Sequence, residues 1–368
     1  MRKTKLIVNT KSKKYPIIFG TNIIKEIQSI INSNNISFEK CFIIFDTNVP
    51  RKYLNTLKKK IKCKKKITYH FRASEKNKNL KSINSILNKL FIFNFSRNDC
   101  IISFGGGITG DVAAFAASIY KRGLKFINIP TTLLAQVDSS IGGKSGVNNK
   151  YGKNLIGSFI QPDLVLSDIN LLKSLPKREI ICGYGEILKH SIISKRNTFI
   201  YLKRNFNKIL NLKSPFINKA IVDSCKIKRN IVQLDEKEKN LRKILNLGHT
   251  FAHAYESALG YSKKLNHGEA VILGIMSSTK FSFENNILNK KDYRLILNHI
   301  NLLDLRVNLN HYFKKKNINS IINFMKLDKK NNSSLINLIL IKKIGKTLLG
   351  LRYNQTKIKN FFKKELIN

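Results

Sequence analysis

The sequence predicts an α/β chain in two domains: a doubly wound parallel sheet over residues 1–174 and an all-helical domain over residues 175–368. Three observations predict it. Up to about residue 168, short apolar runs alternate with segments of helical spacing, as in a parallel sheet covered by helices. The run Cys41-Phe42-Ile43-Ile44-Phe45 is apolar without alternation, which suits a strand buried on both faces. From Leu175 onward, strand-like runs give way to long segments with apolar residues three and four apart. A chain of 368 residues, 42% of them hydrophobic, is long enough for two cores.

Taken in order, residues 5–20 alternate like strands, and a helix is expected over 22–31. The strand at Cys41–Phe45 ends in Asp46-Thr47-Asn48. An acid or amide there can accept from ribose hydroxyls, or it can cap a helix after Pro50; the pattern leaves both open. A strand at Ile67–Phe71 precedes Ser74-Glu75-Lys76-Asn77-Lys78, and Leu80, Ile83, Ile86, Leu87 and Leu90 mark a helix over 79–92. The next strand, Cys100–Phe104, runs into Gly105-Gly106-Gly107-Ile108-Thr109-Gly110-Asp111 and an Ala-rich helix over 112–120. Glycines let such a turn close tightly on an anion, and the free N–H groups of the helix start attract phosphate. Gly105, Gly107 and Gly110 fit the dinucleotide pattern, yet Pro130-Thr131-Thr132 stands where an acidic residue is expected. A dinucleotide site and a ligand-free tight turn therefore both remain. After the strand at Phe126–Ile129 comes a polar loop with Gln136, Asp138, Ser139, Ser140, Gly142-Gly143-Lys144 and Gly152-Lys153-Asn154, more polar groups than an inert turn needs. Ser174-Leu175-Pro176-Lys177 is the expected hinge into the helical domain.

Charge gives a separate signal. Lys and Arg number 68 against 22 Asp and Glu, for a net charge of +46, and the first physical reading is a nucleic-acid or anionic-membrane partner. Lysine, asparagine and isoleucine are in excess along the whole chain, however, while tryptophan is absent and proline occurs six times. That points to compositional drift, since a selected basic patch would be local. The densest run, Lys58 to Lys66, lacks the aromatics that stack on bases and reads as a solvated helix end. No specific nucleic-acid partner is expected. Five scattered cysteines without a C-x-x-C pair suit a reducing cytoplasm. The N-terminus lacks a signal-peptide core, and no apolar run of about eighteen residues marks a membrane span.

In the helical half, His249 and His253 are four apart, so both imidazoles can face one side of a helix. Such a pair alone is more often two ordinary polar histidines than a metal site. His267 and Glu186 add enough nitrogen and oxygen donors for an open zinc site.

The strings Gly105–Asp111, Pro130-Thr131-Thr132-Leu133-Leu134-Ala135-Gln136-Val137-Asp138-Ser139-Ser140, Gly142-Gly143-Lys144 and Gly152-Lys153-Asn154 resemble the 3-dehydroquinate synthase family of sugar phosphate cyclases. Leu175-Pro176-Lys177-Arg178-Glu179, Gly185-Glu186-Ile187-Leu188-Lys189, Leu241-Arg242, Leu245–Thr250, His253 and His267-Gly268-Glu269-Ala270-Val271 extend the resemblance over about residues 40–275. It implies an N-terminal NAD-binding domain and a C-terminal metal-binding domain. The implied reaction turns 3-deoxy-D-arabino-heptulosonate 7-phosphate into 3-dehydroquinate and phosphate, the second step of the shikimate route to chorismate and the aromatic amino acids. NAD would be reduced transiently and regenerated, around phosphate elimination and an aldol closure.

Residue by residue, the resemblance implies a metal held by Glu186, His249 and His267, with zinc expected and cobalt able to substitute. It implies NAD contacts from Asp46, Asn48, Glu75, Lys78, Gly106, Gly107, Gly110, Asp111, Thr131, Thr132, Lys144, Lys153, Leu171 and Ser174. Lys144, Asn154, Arg242, Asn246 and His253 would anchor the substrate, with Lys189 and Lys228 near the reacting end and Asp138 orienting hydroxyls. Arg122 would reach the phosphate of a neighbouring subunit's substrate, implying a homodimer, and Lys330 is taken as the substrate lysine of the Asp328-Lys329-Lys330 turn. The chain departs from the family pattern at Ser74 for a glycine, His190 for a tyrosine, Ser145-Gly146 after the loop lysine, and Asn331-Asn332-Ser333 after the last turn. The enzyme alternatives are a related cyclase for another sugar phosphate and a metal-dependent polyol dehydrogenase that would release NADH.

Overall fold

The computed structural model describes residues 3–262, 264–303, 308–327 and 335–367. Two compact units divide the chain: Met1–Ile180 with Leu212–Lys237, and Ile181–Asn211 with Glu238–Asn368.

The first unit holds strands β1 (Thr4–Asn9) and β2 (Lys14–Gly20), helix α1 (Ile27–Ser33), β3 (Lys40–Asp46), α2 (Arg51–Lys60), β4 (Lys65–Phe71) and α3 (Leu80–Ile92). It continues through β5 (Cys100–Gly105), α4 (Gly107–Ile119), β6 (Lys125–Pro130), β7 (Lys144–Asn149), β8 (Gly152–Phe159) and β9 (Leu164–Asp168). Seven strands form one sheet in the order β1-β2-β9-β6-β5-β3-β4, parallel except for the antiparallel β1–β2 pair. The unalternating run in β3 is explained by burial on both faces. Cys41, Ile43 and Phe45 pack with Ile27, Ile30, Leu54 and Leu57 of α1 and α2. Phe42 and Ile44 pack on the other side with Ile83, Ile86 and Leu90 of α3 and Val112 and Phe115 of α4. Each such side chain contributes roughly 1.5–3 kcal/mol by leaving water, so a polar substitution on either face of β3 would be costly.

β4 pairs with one edge of β3 and β5 with the other. The chain therefore reverses its direction of travel across the sheet between β4 and β5. Ligands of open α/β sheets bind outside the carboxyl ends of strands at such a point, and here those ends are Asp46 and Gly105.

Two segments refine the expectations. The helix expected over 22–31 opens as a 3-10 turn, Ile23–Glu26, before α1 begins. Asp168 imposes this by accepting from the N–H groups of Asn22 at 2.8 Å and Ile24 at 3.0 Å, with Asn22 left-handed at φ 59°. The polar loop is ordered as a π-helical turn, Ala135–Ser139, and the β7–β8 hairpin. Gly142, Gly143 and Gly152 make its bends possible at φ 96°, 67° and 156°, where a Cβ would be strained.

The helical segments that follow are α5 (Lys177–Ile193), α6 (Arg196–Arg204), α7 (Phe206–Leu210), α8 (Phe216–Leu234), α9 (His249–Ala258), α10 (His267–Glu284), α11 (Lys290–Ile300) and α12 (Ile318–Lys326). Strands β10 (Ile336–Lys343) and β11 (Lys346–Tyr353) and helix α13 (Gln355–Glu365) complete the chain. α8 falls in the first unit, where the Cys225 thiol meets the Gln136 carbonyl at 3.3 Å. In the second unit, Phe251, Tyr255, Phe281, Phe361 and Phe362 form an aromatic core with edge and tilted contacts. The β10–β11 hairpin is an addition to the helical expectation, and Ile336, Leu338 and Leu340 carry the strand period. No helix among the described residues is long and apolar enough to cross a membrane.

Candidate functional site

Two groups of polar side chains stand out, one in each unit. In the second unit, Glu186 on α5, His249 at the start of α9 and His267 at the start of α10 place one ligand atom each within 4.8 Å of one another. Glycines bring the three helices this close. A Cβ on Gly248, whose φ is 80°, would lie 2.7 Å from Ile275 N, and one on Gly274 would lie 2.1 Å from the Gly248 carbonyl. A Cβ on Gly268 would lie 2.3 Å from the Cys182 carbonyl, and one on Gly185 would lie 3.0 Å from the Gly268 carbonyl. Each of the three clustered residues thus sits next to a glycine that permits close helix packing: Gly185-Glu186, Gly248-His249 and His267-Gly268.

Capping sets the orientation of α10. Asn266 accepts from Glu269 N at 2.9 Å, Glu269 accepts from Asn266 N at 2.9 Å, and His267 is the first helical residue. The His267 Nδ1 lies 3.2 Å from Glu256 Oε2, and the His249 Nδ1 lies 3.3 Å from the Leu247 carbonyl. An outward ring nitrogen tied to a carboxylate or carbonyl fixes the imidazole plane and leaves the opposite nitrogen oriented inward. His249 Nε2 stands 3.8 Å from Glu186 Oε1. Burial, then the nearby Lys189 ammonium and the other two histidines, holds the His249 pKa well below its ordinary value, keeping the ring neutral as a ligand must be.

Glu186 is fully buried, and neither of its oxygens has a hydrogen-bond partner among the described residues, although the Lys189 ammonium lies against Oε2. A carboxylate taken out of water with its lone pairs unmet is costly unless a cation completes it. The oxygen and nitrogen donors together suit a divalent metal with an open position. His253, four residues along α9, is exposed, with its ring centroid 5.4 Å from that of His249 and 6.2 Å from that of His267. Arg242 is buried, and Asn246 donates to Glu238 at 2.5 Å.

The other group surrounds the glycine turn of the first unit. Gly106 is the N-cap of α4. A Cβ on Gly105 would meet Asp46 Cβ at 2.7 Å, one on Gly106 would meet Thr132 Cγ2 at 3.1 Å, and one on Gly107 would meet Ser139 Oγ at 3.0 Å. The turn therefore gathers Asp46, Thr132 and Ser139 about a helix start whose N–H groups favour an anion. Thr131 N donates to the Gly105 carbonyl at 2.9 Å. Asp46 accepts from the Asn48 backbone and side-chain amides, each at 3.0 Å, and Pro50 occupies the cap position of α2, so Asp46 is not a helix cap. These closely approached glycines and strand-end acceptors fit a dinucleotide.

Lys78 joins Asp111 at 2.5 Å and Asn154 at 2.6 Å. Burial pushes the Asp111 pKa up, and Lys78 opposes that shift. Asn154 is left-handed at φ 55° and receives support from the Asn148 side chain at 3.0 Å. Lys153 is 3.4 Å from Glu75, which accepts from Asn148 at 2.7 Å. Lys228 of α8 donates to the Asp138 carboxylate and carbonyl, each at 2.6 Å. Gly110, Asp111, Ser139, Ser140 and Lys144 line one small pocket. Leu171 is buried and Ser174 exposed in the turn after β9. Arg122 is exposed and left-handed at φ 66°. Lys330 lies outside the described residues.

Sequence reasoning missed the partners: Glu256 for His267, Glu238 for Asn246, Asn148 for Glu75 and Asn154. Glu256 was findable, since it lies seven residues after His249 and so on the same face of α9. The other two depend on loop folding.

The family model described as 3-dehydroquinate synthase N-terminal matches residues 68–182, and the model described as 3-dehydroquinate synthase C-terminal matches residues 183–331. The chain is 57% identical to 3-dehydroquinate synthase of Pelagibacter ubique over 362 residues, 98% of each chain. It is 38% identical to the Thermoanaerobacter pseudethanolicus enzyme of that name over 343 residues, 93% of this chain and 95% of the relative. Among solved structures, a 2-deoxy-scyllo-inosose synthase complexed with carbaglucose-6-phosphate, NAD+ and Co2+ aligns with TM-score 0.86 at 25% identity, over 99% of this chain and 100% of the other. A 2-epi-5-epi-valiolone synthase from Streptomyces hygroscopicus, with NAD+ and Zn2+ bound, shares the fold at TM-score 0.85 and 21% identity, over 98% of each chain. With both halves matched and relatives aligned over nearly their whole length, the chain belongs to the 3-dehydroquinate synthase family.

Proposed function

We propose that this chain converts 3-deoxy-D-arabino-heptulosonate 7-phosphate into 3-dehydroquinate and phosphate, a phosphate-eliminating carbon–oxygen lyase with NAD and a divalent metal, zinc or cobalt, as resident cofactors. The observation that carries the reading is the cluster of Glu186, His249 and His267 in a chain of this family. When bound, NAD supplies a reversible two-electron acceptor and the metal supplies Lewis acidity at the substrate oxygen that is oxidised.

The side chains do the rest. Glu186, His249 and His267 hold the metal, with Lys189 countering the charge of Glu186. Asp138 orients substrate hydroxyls, and its ion pair with Lys228 holds the carboxylate in place. Lys144, Asn154, Arg242, Asn246 and His253 anchor the substrate carboxylate and phosphate. Lys330 of the Asp328-Lys329-Lys330 stretch also binds the substrate. The leaving phosphate takes the proton of its own elimination, so no side chain is assigned as its base. Asp46, Asn48, Glu75, Lys78, Gly106, Gly107, Gly110, Asp111, Thr131, Thr132, Lys144, Lys153, Leu171 and Ser174 form the NAD site. Arg122 serves the substrate phosphate of a second copy, so the working form is a homodimer. The enzyme acts in the cytoplasm, in keeping with five cysteines that form no disulfide in the structure.

The test is product analysis. Purified protein with zinc and NAD at a small fraction of the substrate should yield dehydroquinate without accumulating absorbance at 340 nm. A stoichiometric rise at 340 nm would mark a polyol dehydrogenase, and turnover of a sugar phosphate without the carboxylate in preference would mark a different cyclase.

A further inference from the structure

The basic run from Lys58 to Lys66 surrounds a thiol that the catalytic chemistry does not use. Cys63 lies in the segment between α2 and β4, part-exposed, and Cys41 lies buried at the start of β3. Their sulfurs are 3.6 Å apart and share a hydrogen bond. The backbone holds them there, because the Glu39 carbonyl just before β3 accepts from Lys64 N at 2.8 Å. Seven lysines occupy the nine positions 58–66. The Lys66 side chain folds back across this segment to the Lys58 carbonyl at 2.8 Å.

We propose that Cys41 and Cys63 form a peroxide-oxidisable thiol pair, closing an intramolecular disulfide at the amino end of β3. Sulfurs already in van der Waals contact need to approach by roughly 1.5 Å to reach bonding distance, which side-chain rotation of the loop residue Cys63 can supply. The sulfur–sulfur contact, helped by Lys66, lowers the Cys63 pKa to about 7, while the same contact and then burial push Cys41 up. Cys63, the part-exposed thiol that peroxide can reach, is therefore the attacking thiolate, and the fully buried Cys41 is the resolving thiol. In the first step the Cys63 sulfur attacks a peroxide oxygen, the O–O bond breaks, hydroxide or alkoxide leaves, and a sulfenic acid remains. In the second, Cys41 attacks that sulfur, the S–O bond breaks, and the departing hydroxide takes the Cys41 proton as water. Two electrons pass from the thiol pair to one peroxide.

Cys100, Cys182 and Cys225 are buried. Cys100 is the Cα partner of Cys41 across β5 and β3, so it is the competing resolving thiol. The experiment treats full-length protein with one equivalent of hydrogen peroxide, then blocks free thiols and maps peptides without reduction. The expected result is loss of two of five thiols, a Cys41–Cys63 linked peptide two hydrogens lighter than its parts, and full reversal by dithiothreitol. Cys63→Ser should keep its four thiols under the same treatment. Cys41→Ala should accumulate a dimedone-reactive Cys63; if this core variant does not fold, the peptide map and Cys63→Ser decide alone. A Cys41–Cys100 link, over-oxidation of Cys63 without a link, or five intact thiols would overturn the proposal.

Discussion

Gly268→Ala tests whether close helix packing builds the cluster of Glu186, His249 and His267. Two effects oppose each other. Alanine in a helix is favoured over glycine by about 0.5–1 kcal/mol, so an unobstructed substitution would stabilise α10. Here the new Cβ would stand 2.3 Å from the Cys182 carbonyl, 2.4 Å from its Cα and 2.5 Å from its Sγ. The sulfur can rotate away, but the backbone oxygen and Cα of α5 cannot. Restoring ordinary contact requires the helices to separate by about 1 Å, and overpacking of this kind costs about 1–3 kcal/mol. The clash wins, for a net loss of about 1–2 kcal/mol and a melting temperature lower by a few degrees. The separation also moves His267 from Glu186, so zinc affinity should fall tenfold or more, since a ligand misplaced by about 1 Å loses most of its value. Calorimetry gives the first quantity and competition with a chromophoric chelator the second. Gly260→Ala is the control: its φ is 61° but nothing lies within 4 Å of the added Cβ. It should lose about 1 kcal/mol to backbone strain and keep its zinc affinity. A Gly268→Ala protein as stable as the parent and binding zinc equally would refute the argument.

Three further outcomes follow from the same physics. Burial lowers the His299 pKa from 6.5 to about 4, in a pocket where Tyr184 bonds Nε2 at 2.6 Å and Phe199 and Phe206 pack on the ring. The unfolded chain then binds the extra proton between pH 6.5 and 4, so stability should fall by about 3 kcal/mol as pH drops through that window; urea melts of His299→Gln should show a shallower fall, and identical slopes would contradict this. Lys78→Met removes the cation opposing the upward shift of Asp111, and should cost about 3 kcal/mol, the low end for a broken buried pair, with weaker NAD binding. Unchanged stability and unchanged NAD affinity by calorimetry would count against it. The net charge of +46 should give sequence-independent DNA binding that disappears by moderate salt, while tight binding at physiological ionic strength would require a selected nucleic-acid surface.

Much of the first unit was legible because β strands buried on both faces write unbroken apolar runs, as at Cys41–Phe45 and Cys100–Phe104. The glycine turn was visible as well, and so were Glu186, His249 and His267, which the structure brings together. What patterns could not give were arrangements set by long-range contacts. The 3-10 entry to α1 depends on Asp168, 146 residues from Asn22, and no local propensity encodes that. The β7–β8 hairpin is polar and glycine-rich, so it carries little period-2 signal and reads as loop. The β10–β11 strands do alternate, but lysine and asparagine in an otherwise helical half mask the period. The position of the glycines beside Glu186, His249 and His267 was present in the string, yet its meaning appears only when a Cβ is placed on each in three dimensions.

The most direct test of the central claim is phosphate release from 3-deoxy-D-arabino-heptulosonate 7-phosphate by the zinc-loaded protein with catalytic NAD, beside Glu186→Gln. Release should require both cofactors in the parent and be lost in the variant, whose circular dichroism stays native. Equal release from a folded Glu186→Gln protein, or release indifferent to chelation, would contradict the claim.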